Sequence, residues 1–319
     1  MGDVQIMDFK NKALENKILE IRVGSHLFGT VTPDSDLDLY GVFMPFEEII
    51  FGSHRCDEVK FDVIAKDDTG RNTKDAVDET IVEYRKFIKL SLENNPNILN
   101  AMFTNSENIM FKDERGFADR LLGMAEMFPH KGCFNRFIGY ANAQKHKMRI
   151  KPQNHTALMR GLHLLKKSED NKVLAELVGT VFTDSGKGKH VKCGDLYFER
   201  GIYVSKAKKM IRYRLDNASH RATMYTEYGY DLKFSSNLIQ LLKEGIELLN
   251  TGRIEFPLAY RQDILDIKAG NYTLEEIIEW SDELENESRS ALDSSKLPEK
   301  PRTKEIEAIA ISEVKKYLK

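Results

Sequence analysis

Two aspartates, a serine and a glycine carry the chemistry that this chain can be expected to perform. Asp36 and Asp38 alternate with leucines in Ser35-Asp36-Leu37-Asp38-Leu39, and Gly24-Ser25 stands upstream of them. On a strand, successive side chains point to opposite faces, so the two carboxylates share one face while Leu37 and Leu39 turn to a core behind them. Like charges held side by side repel, and a chain that places them there has use for a divalent cation, whose preferred ligands are oxygens. A small-residue turn at the start of a helix offers unpaired N–H groups and a hydroxyl, which suit phosphate oxygens. His26 follows the serine and is a further phosphate candidate. A lone Gly-Ser is common, and a lone Asp-x-Asp is more often a solvated or capping feature. It is their combination within one short stretch that points to a metal–phosphate site.

A third carboxylate is available on the predicted strand Asp78–Tyr84, where Asp78, Glu79 and Glu83 all stand. Glu79 and Glu83 share the face opposite Asp78 on a regular strand, and the sequence leaves the choice open. Arg85 and Lys86 begin the next predicted helix and are candidates for phosphate oxygens, although solvated helix charges are the ordinary case. Tyr140, Gln144 and Lys147 lie on one helical face, read either as core and rim or as a ligand contact.

The elements that must position these residues follow from periodicity. An amphipathic helix is predicted over 8–20, then a strand over the apolar run Leu19–Val23. Another strand is expected over Cys56–Val63, a polar mobile loop over Ala65–Asp78, and a helix over Arg85–Glu93. That helix stops at Asn94-Asn95-Pro96, since the residue before proline disfavours α geometry. From about residue 114 the texture becomes helical, with candidates at 116–128, 135–150, 156–167, 234–249, 274–292 and 305–318. Between them lie a basic glycine-bearing loop (184–194) and a short hairpin arm (196–204). These patterns predict an α/β domain over 1–113 and a mostly helical domain over 114–319.

Composition narrows the function classes. A chain of 319 residues with 41% hydrophobic and 31% charged residues has core material for a soluble globular protein. Its net charge of -2 gives no global basic field to attract nucleic acid. A local basic patch, Lys206 to Arg214 with Arg221, Lys187, Lys189 and Lys192, is the candidate polyanion footprint. Cys56, Cys133 and Cys193 are widely spaced and form no C-x-x-C pair. They read as free thiols in a reducing cytosol, and a zinc site is not expected. No apolar run reaches membrane-spanning length, and no secretory pattern is evident at the N-terminus.

The stretch V-G-S-H-L-F-G-T-V-T-P-D-S-D-L-D-L-Y-G-V resembles the polymerase-β-like nucleotidyltransferase superfamily. It is most similar to phage and bacterial predicted nucleotidyltransferases with a G-S-H-x-F-G-T-x-T-P-x-S-D-x-D motif. Arg85-Lys86-Phe87 through Asn95-Pro96-Asn97, and Tyr230-Asp231-Leu232-Lys233 followed by the 238–249 helix, extend the likeness over most of the chain. It departs at Asn237 and Gln240, where such relatives carry His and Arg. The resemblance implies an α+β fold, with a small mixed sheet and helices followed by a mostly helical C-terminal domain. It implies Gly24, Ser25 and His26 at the triphosphate, with Asp36, Asp38 and Asp78 binding two Mg²⁺, for which Mn²⁺ can substitute. The implied reaction moves a nucleoside monophosphate from a nucleoside triphosphate to an acceptor hydroxyl and releases pyrophosphate. An RNA or tRNA 3′ end is the first acceptor, ahead of a protein hydroxyl or a small molecule. The readings from another class are a non-catalytic nucleotide-binding module and a nucleic-acid-binding protein.

Overall fold

The computed structural model describes residues 2–33, 35–63, 76–148 and 152–319, so most of the polar stretch predicted as a mobile loop lies outside the described residues. Its chain divides into two compact units, Met1–His146 with Lys233–Lys319, and Lys147–Leu232. This division differs from a single boundary near residue 113.

The first unit opens with α1 (Gly2–Glu15), β1 (Lys17–Arg22), the short helix α2 (Gly24–Phe28), β2 (Leu37–Phe43), α3 (Glu47–Ile50), β3 (Glu58–Val63) and β4 (Val77–Glu83). It continues through α4 (Tyr84–Leu92), α5 (Pro96–Met102), β5 (Ile109–Lys112), α6 (Phe117–Leu122) and α7 (Cys133–Met148). Five strands form one mixed sheet in the order β3-β4-β2-β1-β5. Strand β2 is central, and its neighbour β1 pairs antiparallel with both β2 and β5. In β1, Ile18, Leu19 and Ile21 are fully buried, each worth about 1.5–3 kcal/mol of apolar burial. On one face, Ala13 of α1 packs with Phe43, Val59 and Ile81 of the sheet. On the other, the Phe87 ring of α4 lies 6.3 Å from that of Tyr40.

Strand β2 pairs parallel with β4, placing Asp38 opposite Asp78 and Leu39 opposite Glu79. Partners in register share a face of the sheet. Asp38 and Asp78 therefore project together, and Glu79 projects the other way.

The Asn94-Asn95-Pro96-Asn97 segment is a structural joint. Asn94 is buried at φ 49°, and its Nδ2 donates to the Ser91 and Phe128 carbonyls at 3.0 and 2.9 Å. The Asn95 side chain caps α5 by accepting from the Asn97 N–H at 3.1 Å, with Pro96 in the first turn. Proline is tolerated there because the first N–H groups of a helix have no partner in any case.

The second unit holds α8 (Pro152–Lys166), a three-stranded sheet of β6 (Thr183–Ser185), β7 (His190–Cys193) and β8 (Leu196–Glu199), and α9 (Val204–Tyr228). Of the expected basic loop (184–194), 186–189 form the turn at the tip of the β6–β7 hairpin, whereas 184–185 and 190–193 are strand, paired through backbone hydrogen bonds. Leu158, Leu165, Phe182, Val191, Phe198 and Ile211 belong to the unit's own core.

The chain then returns to the first unit with α10 (Leu232–Thr251), α11 (Arg261–Lys268), α12 (Leu274–Ser294) and α13 (Thr303–Tyr317). Helix α13 locks against the opening segment. Glu313, almost fully buried, accepts from Arg120 Nε at 2.6 Å, and the Tyr317 hydroxyl donates to Asn16 Oδ1 at 3.0 Å. The last helix, predicted as part of a C-terminal domain, is part of the wall of the N-terminal core. Among the described residues no helix is long and apolar enough to cross a membrane.

Candidate active site

Helix α2 grows out of β1 through Gly24, which takes φ +61°, a left-handed conformation that glycine adopts without a Cβ penalty. A Cβ there would stand 2.5 Å from Asp38 Oδ2. Glycine is thus required twice over, for its φ and for the close approach of the aspartate. The Val23 N–H donates to the Asp38 carbonyl at 2.9 Å, fastening the mouth of α2 to β2. The connection that follows is ordered by its own small polar residues. Ser35 Oγ accepts from the Thr32 N–H at 2.9 Å and the Ser35 N–H donates to the Thr32 carbonyl at 3.0 Å. The Leu37 N–H donates to the Ala76 carbonyl at 3.1 Å, which aligns the entry of β2 with that of β4.

The outcome is a cluster in which one carboxylate oxygen from each of Asp36, Asp38 and Asp78 lies within 4.8 Å of the others. Asp36 and Asp38 are half-buried and Asp78 is exposed. Leu37 and Leu39 are themselves only half-buried. Burial, reinforced by the neighbouring Asp36 charge, pushes Asp38 up to about 6, against a lowering contribution from Lys233. Three acids at this spacing with oxygen ligands converging are a donor set for a hard divalent ion. Ser25 Oγ and His26 Nδ1 are both buried without a hydrogen-bond partner among the described residues. Buried polar atoms are normally satisfied, and these two are exceptions next to the segment that carries the acids. Burial and the Arg22 charge lower the His26 pKa, which favours the neutral imidazole.

The other two carboxylates of β4 are engaged elsewhere. Glu79 reaches Lys17 Nζ at 3.4 Å across the opposite face. Glu83 is buried and caps α4, accepting from the Arg85 N–H at 2.9 Å. The structure therefore brings Asp78, of the three, to the aspartate pair. Arg85 and Lys86 pair with other carboxylates. Arg85 Nε donates to Glu83 at 3.0 Å and Lys86 Nζ to Glu58 at 2.7 Å. Tyr140 has a packing role, its hydroxyl accepting from Asn95 Nδ2 at 2.9 Å.

One cation near the acids, and a second cation close to it, come from the later part of the chain. Lys233, at the start of α10, acts on Asp38 and on Lys268. Lys268 Nζ donates to Thr30 Oγ1 at 3.2 Å, and burial with the Lys233 charge lowers its pKa. It arrives there because the segment after α10 is seated on α2. The Leu258 N–H donates to the Phe28 carbonyl at 3.2 Å, and a Cβ on Gly29 would meet Pro257 at 2.7 Å. Sequence reasoning missed Lys268, an ordinary lysine at a helix end far along the chain. Lys233 had a signal, its place in Tyr230-Asp231-Leu232-Lys233, but one equally consistent with a helix cap.

The sequence profile of an RNA repair pathway DNA polymerase beta family matches residues 3–168. An uncharacterized 38.9 kDa protein of Enterobacteria phage T4 is 22% identical over 297 residues, covering 84% of this chain and 87% of its own. A nucleotidyltransferase-like protein from Exiguobacterium sibiricum aligns over 91% of this chain and 73% of its own, at 11% identity and a TM-score of 0.27. That last likeness is too distant to carry an argument. The profile spans just over half of the sequence, including α2, all three aspartates and the whole five-stranded sheet, and on that match the chain belongs to the RNA repair pathway DNA polymerase beta family, with a polymerase-β-like nucleotidyltransferase core.

Proposed function

We propose that the chain transfers a nucleoside monophosphate from a nucleoside triphosphate to the 3′ hydroxyl of an RNA acceptor, with release of pyrophosphate. The observation that carries this reading is the convergence of Asp36, Asp38 and Asp78 within 4.8 Å, beside a buried serine hydroxyl that has no partner among the described residues. Asp36, Asp38 and Asp78 fit a pair of Mg²⁺ ions, and when bound these supply charge neutralisation at the transferring phosphoryl group and activate the attacking oxygen.

The chain's own residues divide the remaining work. Ser25 Oγ donates to a phosphate oxygen, which satisfies the orphaned hydroxyl. Lys233 and Lys268 offset the negative charge that accumulates on the departing pyrophosphate. The acceptor oxygen attacks the α-phosphorus, the bond to the bridging α–β oxygen breaks, and Asp78, the exposed member of the cluster, takes the hydroxyl proton. The family's association with RNA repair supports RNA as acceptor.

Incubation with α-labelled nucleoside triphosphates, Mg²⁺ and either total tRNA or total cell protein tests the reading. Label should enter RNA, and Asp36→Ala with Asp38→Ala should abolish transfer while circular dichroism stays unchanged. Label entering protein alone would replace the acceptor by a protein hydroxyl. Transfer that survives the double substitution would show the site to be misassigned.

A further inference from the structure

The near-neutral charge of the chain conceals a segregation. Residues 147–232, which fold as their own compact unit, carry seventeen lysines and arginines against nine aspartates and glutamates, a net of +8. The remainder carries 31 against 41, a net of -10. Within the basic unit, three of the acids are paired locally, Asp170 with Lys208, Asp195 with Arg214 and Asp184 with Arg200. Lys187 and Lys189 stand exposed at the β6–β7 tip, and Lys206, Lys209 and Arg212 stand exposed along α9.

Aromatic rings are exposed among these cations. Tyr213 is 72% exposed, Tyr203 58% and Tyr197 55%. Lys206, Lys209 and Tyr213 recur at i, i+3 and i+7, one face of α9, while Val204, Ala207 and Ile211 form the buried face. Lys192 lies opposite Tyr197 across the β7–β8 ladder, its ammonium 5.4 Å from the ring centroid.

Cations that follow a phosphate backbone, interleaved with rings on which unpaired bases stack, are the requirements of a single-stranded nucleic acid. We infer that the 147–232 unit is the RNA-holding module of the protein, gripping the single-stranded body of the acceptor through Lys187, Lys189, Lys206, Lys209 and Arg212 with Tyr197, Tyr203 and Tyr213 as stacking platforms. The inference rests on the RNA-acceptor reading for its choice of ligand and adds the surface that binds it.

The test uses the full chain and a fluorescein-labelled single-stranded RNA, read by anisotropy across a salt series. Binding should weaken steeply with salt, with a log–log slope of about -3 to -4 if five phosphates are engaged. Reversing Lys187, Lys189, Lys206 and Lys209 to glutamate should weaken binding at least about tenfold. Tyr213→Ala should weaken it about five- to tenfold with little change in the salt slope. The Asp36→Ala, Asp38→Ala chain, unable to transfer label, should bind the RNA like the parent. Equal loss on reversing Lys89, Lys296, Lys300 and Lys304 of the other unit would overturn the assignment, as would equal affinity for a duplex DNA of the same length. The two readings fail separately. A chain that binds RNA through this surface yet transfers no label sinks nucleotidyl transfer alone, whereas transfer to RNA that ignores the reversal sinks this surface alone.

Discussion

Replacing Asp38 by asparagine should make the metal-free protein more stable, although it destroys the site. Asp38 is raised from an ordinary 3.8 to about 6 by burial first and by the Asp36 charge second. A carboxyl with a raised folded pKa holds its proton longer folded than unfolded, so the folded state binds more protons between those two values. Stability in the absence of metal must then fall as pH rises from about 4 to about 6 and remain lowered above that. A shift of this size converts to at most about 3 kcal/mol. Asp38 is partly open to solvent, and screening reduces the figure to about 1 kcal/mol. Asparagine keeps the shape and removes the charge, so Asp38→Asn should melt about 2 °C higher than the parent at pH 7.5 in EDTA. Adding Mg²⁺ should reverse the order, because an ion that binds only the folded parent stabilises it by mass action. Thermal melts of both proteins, with and without Mg²⁺, at pH 4.5 and 7.5 read the whole cycle. The reasoning is refuted if Asp38→Asn melts lower in EDTA at pH 7.5, or if Mg²⁺ raises both proteins equally.

Further expectations concern single residues. Ser25→Ala should leave stability within about 0.5 kcal/mol, because the hydroxyl it removes has no partner among the described residues, yet raise KM for the nucleoside triphosphate about tenfold, the worth of one lost charge-assisted hydrogen bond. Gly24→Ala should cost more than about 1 kcal/mol in urea unfolding and abolish transfer, since φ +61° and the Asp38 carboxylate both oppose a Cβ. Lys268→Met should raise KM for the triphosphate without lowering the melting temperature, a half-buried ammonium close to another cation being no source of stability. Glu244 is fully buried against Gln240 and Asn100, and burial raises it to about 8. The folded protein should therefore lose stability as pH climbs from about 5 to 8, and Glu244→Gln should flatten that slope in pH-dependent urea melts.

The site was legible in the sequence because its parts are local. Strand alternation alone puts Asp36 and Asp38 on one side, and no long-range contact has to be guessed. The third acid was not settled by periodicity, since Asp78, Glu79 and Glu83 lie within one strand. The parallel register of β4 with β2 selects Asp78, and such register depends on a crossover whose geometry no local pattern states. Nor could the edge strand β5 be read, as Ile109–Lys112 is four residues long and three of them are exposed. The cations proved hardest. Arg85 and Lys86 look available beside the acidic strand until Glu83 and Glu58 are seen to engage them. Lys268 acquires significance only through the seating of Pro257 and Leu258 on α2.

The domain boundary near residue 113 shows most clearly what local texture cannot reveal. A change from strands to helices was read as a change of domain, yet α10 to α13 pack back into the unit that holds the sheet, as Arg120 with Glu313 and Asn16 with Tyr317 show. Residues 147–232 form a compact unit inserted in sequence between the two stretches of the other, and their composition is basic where the rest is acidic. Averaged over 319 residues the two nearly cancel to -2, and that average argues against a polyanion ligand. Electrostatic attraction acts over about a Debye length, roughly 8–10 Å at physiological salt, so what an approaching strand of RNA meets is the charge of the nearest unit. What the average conceals is the basic composition of residues 147–232, a compact unit of net charge +8, and the acidic composition of the rest.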